Sequence, residues 1–208
     1  MSILYKKLKL GEVGTNCYLV WEEKNKHCLI IDAADNGVFI SEEIEKLGLK
    51  PIMIMATHGH FDHVLGVLAL KLIYKIPFAC SSKDEFLLNR QQETAEFFLG
   101  HKVETPNLVK IDLDLDKQSE IKLGKEKFKI IKTPGHSPGG VCLYYSKQNW
   151  LFSGDTLFKE AVGRTDFGYG SAKDLQKSLE RIFKLPKKTI VLPGHGQKTV
   201  IGAEMKRA

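Results

Sequence analysis

The sequence predicts a single domain of the α/β class, in which strands and helices alternate along the chain. Its 208 residues are enough for one domain with a substantial core. The composition, 43% hydrophobic and 27% charged, is typical of a globular protein rather than a disordered one. Four short apolar runs lead into loops that carry histidine or aspartate, and such loops are where open α/β sheets usually build their sites.

The first third of the chain predicts four strands and one helix. Three short apolar segments predict strands over about residues 3–9, 16–22 and 27–32. A helix is expected over about 38–47, followed by a buried strand over 51–56. Asp32 ends the third strand, and we interpret it as a structural residue that holds a neighbouring loop by hydrogen bonds rather than as a metal ligand.

The remainder of the chain predicts helices first and then strands. The residues after position 63 predict an amphipathic helix, whose expected apolar face consists of Val64, Leu65, Leu68, Leu72 and Ile73. A second helix is expected over about 83–99. Strands are expected to dominate from about 121 to 154, before a helix over 172–184, a strand over 188–192 and a short final helix.

The segment from Thr57 to His63 is the most informative part of the sequence. It places three imidazoles and one carboxylate, those of His58, His60, Asp62 and His63, within six residues. Imidazole and carboxylate side chains suit zinc, iron and manganese. The alternative, a histidine-rich surface loop that binds metal by chance, is disfavoured because the ligands directly follow a predicted buried strand.

Three further candidate ligands follow strand-like runs later in the chain: His136, Asp155 and His195. Each lies directly after a glycine, which lets the backbone turn sharply and approach an ion closely. Taken alone, either histidine is more often structural, and the aspartate is more often a turn or cap residue. Their recurrence at strand ends, in a chain whose first cluster needs partners, favours a shared metal site.

Together these motifs resemble the metallo-β-lactamase superfamily and, within it, the glyoxalase II-like branch of hydroxyacylglutathione hydrolases. The resemblance runs from Gly14 to Gly202 and is carried by the segments Thr57–His63, Thr133–Gly139, Ser153–Phe158 and Pro193–Gly196. It implies a four-layer αββα sandwich with metals along one edge. It also implies one domain over residues 1–208, without the carboxy-terminal helical domain that binds glutathione in the authentic enzyme.

The resemblance further implies a centre of two divalent metals, expected to be zinc, with iron or manganese as alternatives. A catalytic zinc takes about three protein ligands, so seven candidates suit two ions better than one. By resemblance, the first ion is held by His58, His60 and His136, the second by Asp62, His63 and His195, and both by Asp155. The implied reaction is hydrolysis, in which a hydroxide between the metals attacks a carbonyl and Asp62 orients it and carries a proton.

A small-molecule thioester, S-lactoylglutathione or a related 2-hydroxyacyl thioester, is the substrate that the resemblance implies. Arg164 matches the position of a basic residue that contacts a glutathione carboxylate, but it could equally form a structural ion pair with Asp166. After His195 the chain continues with Gly196 and Gln197, whereas the authentic enzyme has a tyrosine that contacts glutathione. A glutathione-specific site is therefore not expected.

Rival functions use part of the same residue set. A persulfide dioxygenase of this fold would need a single iron, for which His58, His136 and Asp155 could supply the ligands. Another hydrolase of the fold, a lactonase or a promiscuous β-lactamase, is a further alternative. A metal-binding module without catalysis is disfavoured because the set of ligands is complete.

Composition bears on partners and location. The formal net charge is +6, but the lysines are scattered, so we expect anionic small molecules rather than nucleic acid as partners. No apolar run reaches the roughly 18 residues that a membrane span needs. The amino-terminal residues do not resemble a signal peptide, and the four cysteines form no Cys-x-x-Cys pair. A cytoplasmic location is expected, and the oligomeric state is left open.

Overall fold

The structure, a computed structural model, describes residues 2–103 and 110–206. The single domain expected over 1–208 therefore includes positions 1, 104–109, 207 and 208, which lie outside the described residues. Within the described ranges, no helix combines the length and the apolar character that crossing a bilayer would require.

The first half of the chain forms a six-stranded sheet with the strand order β1-β2-β3-β4-β5-β6. The strands are β1 (Ile3–Leu10), β2 (Thr15–Glu22), β3 (His27–Ile31), β4 (Lys50–Met55), β5 (Phe78–Cys80) and β6 (Leu113–Asp114). The first three are antiparallel and follow one another through short turns. From β3 to β6 the pairing is parallel, so the chain must cross over between strands, and it does so through helices from β3 to β4 and from β4 to β5.

The second half forms another six-stranded sheet, with the order β14-β13-β10-β9-β8-β7. Its strands are β7 (Glu120–Leu123), β8 (Glu126–Lys132), β9 (Val141–Tyr145), β10 (Trp150–Gly154), β13 (Ile190–Pro193) and β14 (Thr199–Val200). In the sequence, two further strands follow β10 and precede β13: β11 (Leu157–Phe158) and β12 (Ala161–Val162). They pair with each other as a small separate hairpin.

Helices connect and cover the strands. They are α1 (Gly37–Lys46), α2 (Phe61–Val64), α3 (Val67–Tyr74), α4 (Glu85–Leu88), α5 (Gln91–Leu99), α6 (Ala172–Ile182) and α7 (Ile201–Glu204). The start of α6 has a clear local cause, because the hydroxyl of Ser171 accepts a hydrogen bond from the backbone N–H of Asp174. The helix expected over 83–99 is interrupted at residues 89–90 and forms α4 and α5 instead.

Side chains on β2 alternate between two apolar cores, because successive residues of a strand point to opposite faces. Cys17 and Leu19 belong to a core beneath α1 and α3 that includes Ile40. Tyr18 and Val20 point the other way, into the core between the two sheets. A third core joins the second sheet to α6 and α7 and includes Leu151, Ile182, Val191 and Ile201. The layers are helix, sheet, sheet and helix, which confirms the expected αββα sandwich.

The amphipathic helix expected after residue 63 differs from the prediction. It is divided at Gly66, where a Cβ atom would lie 2.3 Å from the carbonyl oxygen of Ala33. The chain restarts as α3, in which Val67 and Leu70 are the buried residues. Leu72 and Ile73, placed on the apolar face by sequence periodicity, are 69% and 46% exposed. That part of the prediction is wrong because periodicity was read across a break.

The strand directions bring all the candidate ligand loops to one edge of the sandwich. Strands β8 and β10 are both antiparallel to β9, and β10 is parallel to β13, so these three strands end on the same side. The end of β4 in the other sheet meets them there, since the backbone N–H of Val141 donates to the carbonyl of Thr57 at 2.9 Å. The edge between the two sheets therefore holds the candidate site.

Candidate metal centre

Three histidines form the first cluster at this edge. His58 and His60 come from the loop after β4, and His136 comes from the loop after β8. Nδ1 of His60 lies 2.9 Å from Nε2 of His58 and 3.0 Å from Nε2 of His136. The three ring nitrogens thus point at a common position.

A second cluster lies beside the first and consists of Asp62, His63 and His195. The first two residues belong to α2, and His195 comes from the loop after β13. Nε2 of His195 lies 3.1 Å from Oδ2 of Asp62 and 3.3 Å from Nε2 of His63. This cluster therefore joins residues that are more than a hundred positions apart in the sequence.

Asp155, at the end of β10, lies between the two clusters. Its Oδ2 is 3.6 Å from Nε2 of His136 in the first cluster and 3.5 Å from Nε2 of His195 in the second, and its Oδ1 is 3.5 Å from Nε2 of His63. Gly194 allows this approach, because a Cβ atom there would lie 2.2 Å from Oδ1 of Asp155. The structure brings all seven predicted ligands together.

The outer nitrogens of three histidines lie close to oxygen atoms. Nδ1 of His136 lies 2.8 Å from the carbonyl oxygen of Arg164, which can only accept, so this nitrogen carries the hydrogen. Nδ1 of His63 lies 3.1 Å from Oδ2 of Asp32. Thr57 donates its hydroxyl to the same carboxylate at 2.9 Å and lies 3.2 Å from Nδ1 of His58. For His58 and His136 these partners place the hydrogen on Nδ1 and leave the lone pair of Nε2 facing the cluster.

Asp32 therefore has the structural role that the sequence suggested. Besides the contacts above, its Oδ1 accepts the backbone N–H of Thr57 at 2.7 Å. The carboxylate is buried and holds the start of the ligand loop.

The electrostatics of the first cluster favour neutral imidazoles. Burial lowers the pKa of His58 well below its usual value. Burial and the nearby ring of His136 lower the pKa of His60 to about 3. Neutral rings offer lone pairs, which is the form in which histidine binds metals.

The second cluster attracts positive charge. Burial alone would lower the pKa of His63, but the carboxylates of Asp62, Asp155 and Asp32 outweigh burial and raise it to about 10. Burial alone would raise the pKa of Asp62, yet the charge of His63 and hydrogen bonds from His195 and Thr15 hold it well below its usual value. Burial raises the pKa of Asp155.

This donor set fits metal cations. Nε2 of His58 and Nε2 of His136 both present lone pairs to Nδ1 of His60, and a single hydrogen there could satisfy only one of them. Oδ1 of Asp155 is buried and receives no hydrogen bond from any described residue. A cation in each cluster would satisfy these groups at once, with imidazole and carboxylate ligands of the kind that zinc and iron take.

Comparison with known proteins agrees with the geometry. A family model described as the metallo-β-lactamase superfamily matches residues 10–195. The chain belongs to the metallo-β-lactamase superfamily. The match includes all seven candidate ligands.

Individual members of the superfamily resemble the chain over nearly its whole length. The hydroxyacylglutathione hydrolase GloC of Haemophilus influenzae is 33% identical over 92% of this chain and 90% of its own. The crystal structure of the BLEG-1 B3 metallo-β-lactamase superposes with a TM-score of 0.90 at 34% identity, covering 98% of this chain and 97% of that one. TTHA1623 in a di-iron-bound form gives 0.85 at 32% identity, covering 97% of both chains.

In this superfamily member the clusters lie at the base of a pocket of about 210 Å³. Arg164 lines that pocket, and its guanidinium makes two hydrogen bonds to Asp166, at 2.9 and 2.8 Å. Of the two roles considered for Arg164, the ion pair is therefore present. The contact with a substrate carboxylate stays a prediction.

Sequence reasoning missed Tyr169 and Asp84. The hydroxyl of Tyr169 lies 2.8 Å from Nε2 of His60, the ring nitrogen that faces away from the first cluster. Asp84, which is buried, accepts the N–H of Gly59 and the hydroxyl of Ser137, and so links the two loops that carry the first cluster. Tyr169 lies between Gly168 and Gly170, and Asp84 comes shortly after a short apolar run, which are weak signals in a sequence.

Proposed function

We propose that this superfamily member is a two-metal hydrolase that cleaves small-molecule thioesters of the hydroxyacylglutathione type. The position of Asp155 carries the proposal, because one carboxylate within 3.6 Å of a nitrogen in each cluster suits a bridge between two ions. His58, His60 and His136 would hold one ion, and Asp62, His63 and His195 the other. Bound there, the ions would supply Lewis acidity and lower the pKa of water to about 7.

Asp62 is the side chain best suited to handle protons. It lines the pocket, and Thr15 donates its hydroxyl to Oδ2 at 2.7 Å, which fixes the carboxylate. Because its pKa lies well below the usual value, the group is ionised near neutral pH and can accept a hydrogen bond from the attacking water. Water adds to the carbonyl carbon, the carbon–sulfur bond breaks, and an acid and a thiol leave.

A thioester suits this site better than an ester or amide, because a thiolate leaves with little help from an acid. A covalent cysteine mechanism is disfavoured, since all four cysteines are buried as free thiols within the fold. The similarity to GloC, whose name is that of a thioester hydrolase, supports the same substrate class. The second metal and the choice of zinc or iron belong to the proposal.

The proposal is tested by measuring metal content by mass spectrometry together with hydrolysis of S-lactoylglutathione. We expect about two metals per chain and release of free thiol. Asp155→Ala should lose both bound metal and at least 99% of the activity, on the order of the hundredfold or greater losses seen when a group that stabilises charge is removed. Asp174→Ala, a substitution on the exposed side of α6, is the matched control and should retain both.

Two other results would replace the proposal. About one iron per chain, oxygen consumption on a persulfide and no thiol release would identify a dioxygenase. Two metals with cleavage of lactones or β-lactams but not of thioesters would keep the hydrolase and change its substrate.

A further inference from the structure

Aromatic rings line one side of the pocket in a continuous row. Phe61 stacks on Phe98, with ring centroids 6.1 Å apart and planes at 16°. Phe98 meets Phe167 edge to face at 6.3 Å, and Phe167 stacks on Tyr169 at 5.4 Å. We call these four residues the aromatic wall. All four line the same pocket as the ligands.

The aromatic wall directly adjoins the first cluster. The ring of Phe167 lies 5.4 Å from that of His60 and 5.7 Å from that of His136, measured between centroids. A carbonyl group bound between the clusters would therefore have one of its two substituents against the wall. The wall determines which chemical group that substituent can be.

Size indicates which arm of a thioester occupies this space. An apolar cavity of about 150 Å³ holds a benzene molecule, so a pocket of about 210 Å³ fits one ring with a short linker. Ligands of drug size, such as a tripeptide thiol, need roughly 300 Å³ or more. The larger thiol arm must then extend into solvent, and the acyl arm lies against the wall.

The charges around the pocket also favour an apolar acyl arm. Arg164 is the cationic side chain among the pocket residues that do not belong to the clusters, and its guanidinium is already paired with Asp166. That guanidinium also lies 4.8 Å from the centroid of Phe167, over the ring face. The acyl arm thus meets rings and ligands rather than a free charge.

We propose that the aromatic wall selects thioesters with an apolar acyl group of about the size of a phenyl ring, and that Phe98 is a specificity-determining residue. This inference rests on the proposed hydrolase function and assigns an apolar acyl group to its thioester substrate in place of a 2-hydroxyacyl group. Burying a ring-sized group stabilises binding enough for about a ten- to hundredfold preference over an acetyl group.

The first test compares thioesters that share one thiol. S-phenylacetyl-, S-lactoyl- and S-acetyl-N-acetylcysteamine differ only in the acyl arm, so the ratio of their kcat/KM values reports that arm alone. We expect phenylacetyl to exceed acetyl by about ten- to hundredfold. Equal values for all three thioesters would overturn the inference while leaving the hydrolase function intact.

Variants on one helix provide the matched control. Phe98 and Phe97 are adjacent on α5, with ring centroids 5.2 Å apart. Phe98 lines the pocket and is 47% exposed, whereas Phe97 does not line it and is 79% exposed. Phe98→Ala should lower kcat/KM for the phenylacetyl thioester about tenfold and change that for acetyl less than twofold. Phe97→Ala, which removes a ring outside the pocket, should leave the ratio of the two kcat/KM values unchanged. Equal losses for both thioesters in Phe98→Ala would overturn a role in specificity.

A binding measurement separates this inference from the proposed reaction. Titration calorimetry of the metal-loaded protein with phenylacetate and with acetate uses the same carboxylate in both ligands. We expect tighter binding of phenylacetate, by about tenfold or more, and loss of that difference in Phe98→Ala. If no thioester is cleaved but this difference is found, the pocket assignment holds and the thioesterase proposal fails. Equal affinities overturn the pocket assignment.

Discussion

A histidine that offers one ring nitrogen to a metal keeps its orientation only if the other nitrogen is held. For His60 the holder is a hydroxyl, that of Tyr169, at 2.8 Å from Nε2. Among the histidines of the first cluster, His58 and His136 are instead held by Thr57 and by the carbonyl of Arg164. The orientation of His60 therefore depends on one side chain of a loop.

Removing that hydroxyl tests the dependence. We expect Tyr169→Phe to weaken metal binding at the first cluster by about 10- to 100-fold, because the ring is kept and only the hydrogen bond is lost. Competition with a chromophoric chelator measures the affinity. Tyr74→Phe is the control, since its hydroxyl contacts Ser41, far from the ligand loops. Unchanged affinity in Tyr169→Phe would show that the bond is incidental.

At the scale of single residues, the sequence predicts the candidate ligands better than the residues that hold them in place. Spacing and chemistry pointed to His58, Asp155 and the other candidate ligands, because imidazoles and carboxylates directly after predicted strands are informative. Tyr169 could not be found in that way, since its partner His60 lies 109 positions away and their contact depends on a loop path. Asp84 could not be predicted for the same reason, because its partners Gly59 and Ser137 lie far from it in the sequence.

Among the elements, the break between α2 and α3 depends on one small residue. Gly66→Ala would place a methyl group 2.3 Å from the carbonyl oxygen of Ala33 and 3.2 Å from the backbone nitrogen of Gly37. We expect a loss of about 1–3 kcal/mol in the free energy of unfolding, as in other overpacked sites. Urea denaturation of the metal-free protein measures it.

Gly168→Ala is the control for this substitution. A Cβ atom there meets nothing within 4 Å, and the backbone has no positive φ. The control should change stability by less than about 1 kcal/mol. If both variants were equally stable, the helix break would not depend on close packing at Gly66.

A buried carboxylate connects β8 to the end of β9. Glu126 accepts hydrogen bonds from Lys147 and from Tyr145, both at 2.9 Å. Lys147 first, and Tyr145 with it, hold the pKa of Glu126 below its usual value. The unfolded chain therefore binds this proton more readily than the folded state. The stabilisation is present above the unfolded pKa of about 4.3 and is lost as the pH falls through the lower folded value.

This linkage predicts a pH-dependent difference between wild type and Glu126→Gln. The variant should be less stable at pH 7, and the difference should shrink as the pH falls below about 4.3. Denaturant unfolding at several pH values measures it. Glu93→Gln, which disrupts an exposed ion pair with Arg90, should leave stability nearly unchanged throughout. A difference independent of pH would mean that the carboxylate charge is not involved.

The elements themselves were predictable where patterns were local. Strand β2 extends over Thr15–Glu22, against an expectation of 16–22, because its apolar run is continuous. The helix after His63 was misassigned because nothing in the sequence around Gly66 reveals how closely Ala33 approaches. The close contact between Gly66 and Ala33, which lie far apart in the sequence, marks the place where the helix divides.

At the scale of the whole molecule, metal and stability should be coupled. The candidate ligands come from both sheets, so ions bound to them would bind the folded protein only. Free metal at 100 times its Kd then adds about 2.7 kcal/mol. For a chain of this length that corresponds to about 5–10 °C in Tm. Scanning calorimetry with and without a chelator measures the shift.

Asp155→Ala gives the comparison for that shift. The substitution removes the carboxylate between the clusters, so chelation should lower its Tm by less than that of the wild type. A wild-type Tm that is insensitive to chelator would contradict metal binding at these residues. The αββα order itself was predictable from family resemblance, whereas the pairing of β10 with β13 has no local signal, because residues 155–189 separate them.

The residues of the two clusters are also completed at different times during synthesis of the chain. The first contains no residue later than His136, whereas the second needs His195, which the backbone N–H of Asn16 helps to position by donating to the carbonyl of Gly194. At about 5–20 residues per second, roughly 3–12 s of synthesis separate the two histidines. A nascent chain therefore passes through a stage in which the three histidines of the first cluster have been synthesised and His195 of the second has not.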